Sequence, residues 1–151
     1  MLLRTHLAIT LFFALLFSSG FNHPVFFVAI ALLATILPDI DTFNSYIGRK
    51  ARIVSKFLSF FTKHRGFFHS FSCSVIFSIL LLFISPFIAS AFFAGYSLHI
   101  LADSFTVEGV ELFWPLRKKV NGRIKTSGIT EKLLFCLFVI LDSVYLFAYL
   151  F

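Results

Sequence analysis

The chain has 151 residues, 59% of them hydrophobic and only 13% charged, with a mean hydropathy of +0.95. A water-soluble domain carries about 25% charged residues, so water is excluded as the solvent for most of this surface. The net charge of +6 ordinarily suggests nucleic acid or an anionic surface as partner. Here the placement of the cations ties it to membrane orientation first.

The first apolar block covers residues 7–21 and breaks at Asn22-His23-Pro24, because proline cannot continue a helix and restricts the residue before it. A second block, 25–37, ends at Pro38-Asp39. Two helices sharing this stretch span only ~25 Å each, a thin or tilted hairpin against a ~30 Å hydrocarbon core. Residues 41–65 are polar. Within them Ile53, Phe57 and Phe60-Phe61 recur at helical spacing while Arg52, Lys56 and Lys63 fall elsewhere on the wheel. That pattern predicts an amphipathic helix along the interface.

The third and fourth blocks, 71–84 and 87–101, meet at Ser85-Pro86 as another hairpin. A second polar stretch, 103–132, includes Val120-Asn121-Gly122-Arg123, the Asn-Gly signal of a tight β-hairpin. Thr130 is placed to N-cap a last helix over 133–151. The expected fold is all-α: a polytopic membrane bundle of about five helices, two hairpins plus a C-terminal helix, in a single integral-membrane domain. Cys73 and Cys136 sit in apolar blocks and read as small core residues. Asp142, near the middle of the last helix, is a functional candidate because an ionisable group at that depth is costly. The alternative is an acid packed and hydrogen-bonded inside the bundle.

Arg4 precedes the first helix. Arg49, Lys50, Arg52, Lys56, Lys63 and Arg65 fall in one polar stretch, and Arg117, Lys118, Lys119, Arg123, Lys125 and Lys132 in the other, accounting for all 13 Lys and Arg. If five helices alternate direction, these regions share one side, which the positive-inside bias makes the cytoplasm. The N-terminus is then inside and the C-terminus outside, in the cell (inner) membrane. A cleaved signal peptide ending near Ser18-Ser19-Gly20 competes for the start of the chain, but it would discard His6 and unpair the second helix.

Metal-capable side chains follow the same topology. His6 precedes helix one, Asp39 and Asp41 follow helix two, His64 and His69 precede or open helix three, and His99 and Asp103 close helix four. Only His23 lies on the far side. His99 and Asp103, four apart, share a helix face. Asp39 and Asp41 lie where Pro38 ends a helix. His64 and His69 diverge by about 140° on a continuous helix, which Gly66 relieves by letting the backbone bend. Imidazole with carboxylate and without thiolate suits zinc, manganese or iron. Seven candidates exceed one tetrahedral shell, so some orient their neighbours or the site holds two ions. Arg65 is placed to clamp an anionic group such as a phosphate.

These motifs carry a resemblance. Thr5-His6, Pro38-Asp39-Ile40-Asp41, His64-Arg65-Gly66-Phe67-Phe68-His69-Ser70, Gly95-x-x-x-His99-x-x-x-Asp103-x-x-Thr106-x-x-Gly109-Val110 and Trp114-Pro115 occur in order. Together they resemble the membrane-bound metal-dependent hydrolase family that includes the LexA-regulated YdjM-like inner-membrane proteins. The resemblance implies His6, Asp39, Asp41, His64, His69, His99 and Asp103 as the metal ligands. Phe68 departs from the family, which often has a small or hydroxylated residue there.

The expected function is a metal-dependent hydrolase at the cytoplasmic interface. Zinc or manganese, one ion or two, activates water against a phosphoester or lipid-linked substrate, with Arg65 as clamp and Asp39 or Asp41 as general base. A non-enzymatic metal-ion carrier or sensor is the rival, disfavoured by the scarcity of polar residues inside the helices. A membrane anchor or adaptor binding anionic lipid is a third. Nucleic acid is not expected, because positive-inside orientation already accounts for the basic loops.

Overall fold

The structure, a computed structural model, describes residues 1–41, 66–116 and 118–150. Among these are five α-helices: α1 (Leu3–Ser18), α2 (Pro24–Ile36), α3 (Phe71–Leu82), α4 (Pro86–Ser104) and α5 (Ile129–Leu150). Two short 3-10 turns, Leu37–Asp41 and Phe67–His69, extend the bundle at the end of α2 and the start of α3. The interfacial helix expected within 41–65 falls outside the described residues.

The helix starts follow local chemistry. Pro24 and Pro86 occupy first-turn positions of α2 and α4, where a missing N–H breaks no helical bond. The Ser70 hydroxyl caps α3 by accepting from Cys73 N at 3.2 Å. α5 begins at Ile129, so Thr130 lies inside its first turn and is not the cap. Glu131 takes that role instead, its Oε2 accepting from Ser127 N, as a third-position glutamate can.

α4 is the centre of the bundle and packs against α1, α2 and α3, while α1 also packs against α2 and α5. Small residues set the spacing. A Cβ added to Gly95 would fall 2.0 Å from Ala31 O, so α4 and α2 approach backbone to backbone. The Thr35 hydroxyl lies 2.9 Å from Thr10 Oγ1, Ala31 O and Gly95 O, tying α1, α2 and α4 together. Large apolar side chains point the other way: Val75, Ile76 and Leu80 of α3 and Leu133, Ile140 and Phe147 of α5 are exposed. Small and polar residues inside with large apolar ones outside is the arrangement of helices packed in lipid.

Among the described residues one helix, Ile129–Tyr149, is long and apolar enough to cross a membrane by itself. Leu3–Ser18, Pro24–Asp39 and Phe71–Leu82 are shorter apolar helices.

Two local expectations are corrected. The strands β1 (Val110–Glu111) and β2 (Lys119–Val120) pair antiparallel, but Asn121-Gly122 follows β2 instead of turning the hairpin. Gly122 serves close approach: a Cβ there would meet Phe105 O at 2.2 Å, and its N–H donates to Thr106 O at 2.9 Å. Cys73 is buried as expected, whereas Cys136 is exposed on α5, because α5 leans on the bundle by one stripe only.

Candidate metal centre

Four separated segments converge at one end of the bundle. α1 brings His6, the turn after α2 brings Asp39, the turn before α3 brings His69, and the end of α4 brings His99 and Asp103. The chain enforces each placement. Asp39 leaves the α2 axis in the turn that follows Ile36. His69 ends a separate turn after Gly66, and extended Ser70 (φ −136°, ψ 153°) lets α3 start afresh at Phe71. That turn is pinned by the Tyr96 hydroxyl donating to Phe68 O at 2.6 Å and by Phe71 N donating to Leu112 O at 2.8 Å. α4 is closed just past Asp103: the Thr106 hydroxyl donates to Asp103 O at 2.7 Å and accepts from Gly109 N at 3.1 Å. Gly109 supplies the positive φ of +60° that this turn needs.

His6, His99 and Asp103 offer ligand atoms within 4.8 Å of one another, as do Asp39, His69 and His99. His99 belongs to both groups. Its Nε2 lies 3.9 Å from Asp39 Oδ1 and 3.8 Å from Asp103 Oδ2, while His6 Nε2 is 3.2 Å from Asp103 Oδ1 and His69 Nε2 3.9 Å from Asp39 Oδ1. The His6 and His99 rings stack at 3.9 Å, and His69 stands edge-on to His99 at 5.6 Å. The three imidazoles and Asp103 are at most 2% exposed. Asp39 is 17% exposed and is therefore the member of the five nearest solvent.

Burial would raise the Asp39 carboxyl, but a hydrogen bond from His69 and the charges of His99, His6 and His69 more than offset it. The group lies below its ordinary value and is a carboxylate at neutral pH. The Met1 amine adds a positive charge against Asp103.

The residues fit a divalent cation on three counts. Both ring nitrogens of His99 and Nδ1 of His6 are buried without a hydrogen-bond partner, which costs ~1–3 kcal/mol per unsatisfied group; an ion would satisfy one nitrogen of His99. A tetrahedron built on Zn–N bonds of ~2.0–2.1 Å has edges of ~3.4 Å. The separations of 3.2, 3.8 and 3.9 Å lie within about half an ångström of that edge. The donor atoms are nitrogen and oxygen with no thiolate, the set that zinc, manganese and iron accept.

Of the seven sequence-derived candidates, five side chains thus meet. Asp41 is the last residue of the turn that carries Asp39, and His64 and Arg65 lie outside the described residues. His23, at the start of α2, sets its ring edge against Phe26 and Phe87. Asp142 is 6% exposed with Oδ1 unpartnered. It lines an apolar groove of about 480 Å³ with Arg4, Leu11, Leu32 and Phe135.

Two supporting residues, Glu131 and Thr35, have no sign in the motifs, and a third, Gly95, enters only as a motif position without a role. Glu131, 1% exposed, accepts from Leu2 N at 2.6 Å and so holds the start of α1, about one turn from His6. Its signal was a glutamate in the first turn of a helix, hidden behind the better-known capping threonine beside it. Gly95 and Thr35 set the α2–α4 distance. A glycine one turn before His99 was the available sign.

The YdjM inner membrane protein family matches over residues 1–151. The uncharacterized protein YvsG of Bacillus subtilis (strain 168) is 32% identical over 122 residues, which are 76% of this chain and 73% of that protein. The inner membrane protein YdjM of Escherichia coli (strain K12) is 36% identical over 96 residues, 58% of this chain and 48% of its own length. The chain therefore matches about half the length of that relative. No solved structure matches.

Proposed function

The chain belongs to the YdjM inner membrane protein family, and on that premise we propose that it is a membrane-embedded metal-dependent hydrolase with its site at the cytoplasmic interface. The observation that carries this reading is the gathering of His6, Asp39, His69, His99 and Asp103 from four chain segments into one buried cluster. A divalent ion there would supply Lewis-acid activation of water and of a substrate oxygen.

The remaining chemistry belongs to the chain. His6, His69 and His99 present ring nitrogens held by packing, and Asp103 supplies a buried carboxylate. Asp39, the most exposed of the five, faces the approach of a substrate and is placed to take a proton from water as general base. Arg65, adjacent in sequence to the Gly66 turn, is the proposed clamp for an anionic group. Phosphoester or lipid-linked substrates suit a site that opens at headgroup level.

The number of ions follows from His99. Its Nε2 faces both Asp39 and Asp103 and carries a single lone pair in the acceptor tautomer. Both groups cannot use it at once. One ion takes His99, and a second needs donors beyond the five, for which Asp41 and His64 remain.

We further propose that α1–α2 and α3–α4 cross the membrane as hairpins beside α5, N-terminus inside and C-terminus outside. The bias of basic residues supports it.

The test is metal content of the purified protein before and after chelation, with phosphoesterase and esterase activity measured in parallel. The expected result is stoichiometric zinc or manganese, loss of activity on chelation and restoration by the ion. Metal-free protein whose hydrolysis is indifferent to His99→Ala would sink the reading.

A further inference from the structure

Just beyond β1 the chain exposes Phe113 (58%), Trp114 (45%) and Leu116 (69%) in a non-helical segment. In a protein facing only water this cluster would be an uncovered apolar patch. It is not loosely held. Trp114 meets Phe67 edge-on at 5.1 Å, Phe113 stacks on Phe71 at 6.2 Å, and the Ser72 hydroxyl donates to Trp114 O at 2.6 Å. The segment therefore lies along the first turn of α3, continuous with that helix's exposed apolar residues Val75 and Ile76.

Exposed cations flank it. Lys118, Lys119, Arg123 and Lys125 are all exposed, against Glu108 and Glu111 in the same region, the latter opposite Lys119 across the β1–β2 pair. An aromatic wedge bordered by lysine and arginine is the composition that settles at the boundary between headgroups and acyl chains. Excess cations there favour anionic lipid.

The geometry points to Phe113–Trp114–Leu116 as a wedge inserted into the cytoplasmic leaflet, with Lys118 and Lys119 gathering anionic phospholipid around it. The partner is the bilayer in which the helices sit. One consequence concerns the cluster: the wedge grips Phe67 and Phe71, which bracket His69, so its depth in the leaflet sets the level of the His69 turn. The choice of leaflet rests on the proposed topology, but the inference needs no hydrolase activity.

The chain has a single tryptophan, so fluorescence of the intact reconstituted protein reads Trp114 alone. Vesicles of phosphatidylglycerol and phosphatidylcholine are prepared with bromines placed high or deep on the acyl chains of one lipid at a time. The wedge predicts stronger quenching by high than by deep bromines and weak quenching by aqueous acrylamide. It also predicts stronger quenching when phosphatidylglycerol carries the bromine, a preference that Lys118→Glu with Lys119→Glu lowers several-fold. Acrylamide quenching as strong as for free tryptophan, with brominated lipid inert, overturns the proposal. So does an emission that neither quencher reaches, which means a second copy or another protein covers the segment. Loss of metal or activity leaves this readout unaffected, so its failure and that of the hydrolase reading stay separate.

Discussion

His99 is the side chain on which the cluster turns. It stacks on His6, stands against His69, and faces both carboxylates. His99→Ala removes a donor from both groups at once, whereas His6→Ala leaves Asp39, His69 and His99 intact. Since even residues that merely orient ligands change metal affinity by about 10–100-fold, His99→Ala is expected to lose at least that factor, and His6→Ala less. Titration of the chelator-stripped protein with zinc measures both, and equal losses would place the ion in the His6–His99–Asp103 group alone.

The pH dependence has a definite sign. Asp39 is held below its ordinary value, so its contribution to stability is present above the usual carboxylate range and fades only as pH falls through the lowered value. The histidines must be neutral to bind an ion, so protons and metal compete for the imidazole nitrogens. Metal retention should fall as pH drops while helicity persists; retention that does not change down to the pH at which the protein unfolds would contradict the histidine ligands.

At the scale of elements, the pairing of α2 with α4 decides whether His99 and Asp103 reach the turn that follows α2. Gly95→Ala places a methyl 2.0 Å from a backbone oxygen, where no side chain can swing aside. Such overpacking typically costs ~1–3 kcal/mol, and it should lower thermal stability in detergent together with metal retention. Gly20→Ala is the control, because its nearest atom is 3.8 Å away, an ordinary contact. Equal effects of the two would remove Gly95 from its spacing role.

The sequence made the helices legible because their breaks are chemical: Pro24 and Pro86 start α2 and α4 where the apolar runs resume. It made His99 with Asp103 legible because four residues span one helical turn. It could not show that α5 starts four residues before the expected 133, since the polar Thr130-Glu131-Lys132 run looks like a loop until Glu131 is seen to be buried. Nor could it show that Asn121-Gly122 serves contact with Phe105, because a close approach between distant residues leaves no local pattern. The meeting of His6 with His99 is likewise a matter of tertiary packing, suggested by shared helix ends and made by Gly95 and Thr35.

For the whole molecule the open question is orientation, and the helix lengths sharpen it. α5, with 22 residues, rises ~33 Å and matches a ~30 Å core, whereas α3, with 12, rises only ~18 Å. A bundle of such unequal helices fits a bilayer that is locally thinned or a site end recessed below the headgroups. In both cases the proposed topology puts the basic residues on one face, and no Lys or Arg follows Lys132. The proposed topology then predicts that alkaline phosphatase fused after Phe151 is active, since that enzyme matures only outside the cytoplasm, and that a green fluorescent protein fused there is dark. A bright fluorescent fusion with an inactive phosphatase would place the C-terminus inside. Either α5 then fails to span, or the whole bundle is inverted and the cluster lies on the outer face; both outcomes overturn the proposed topology.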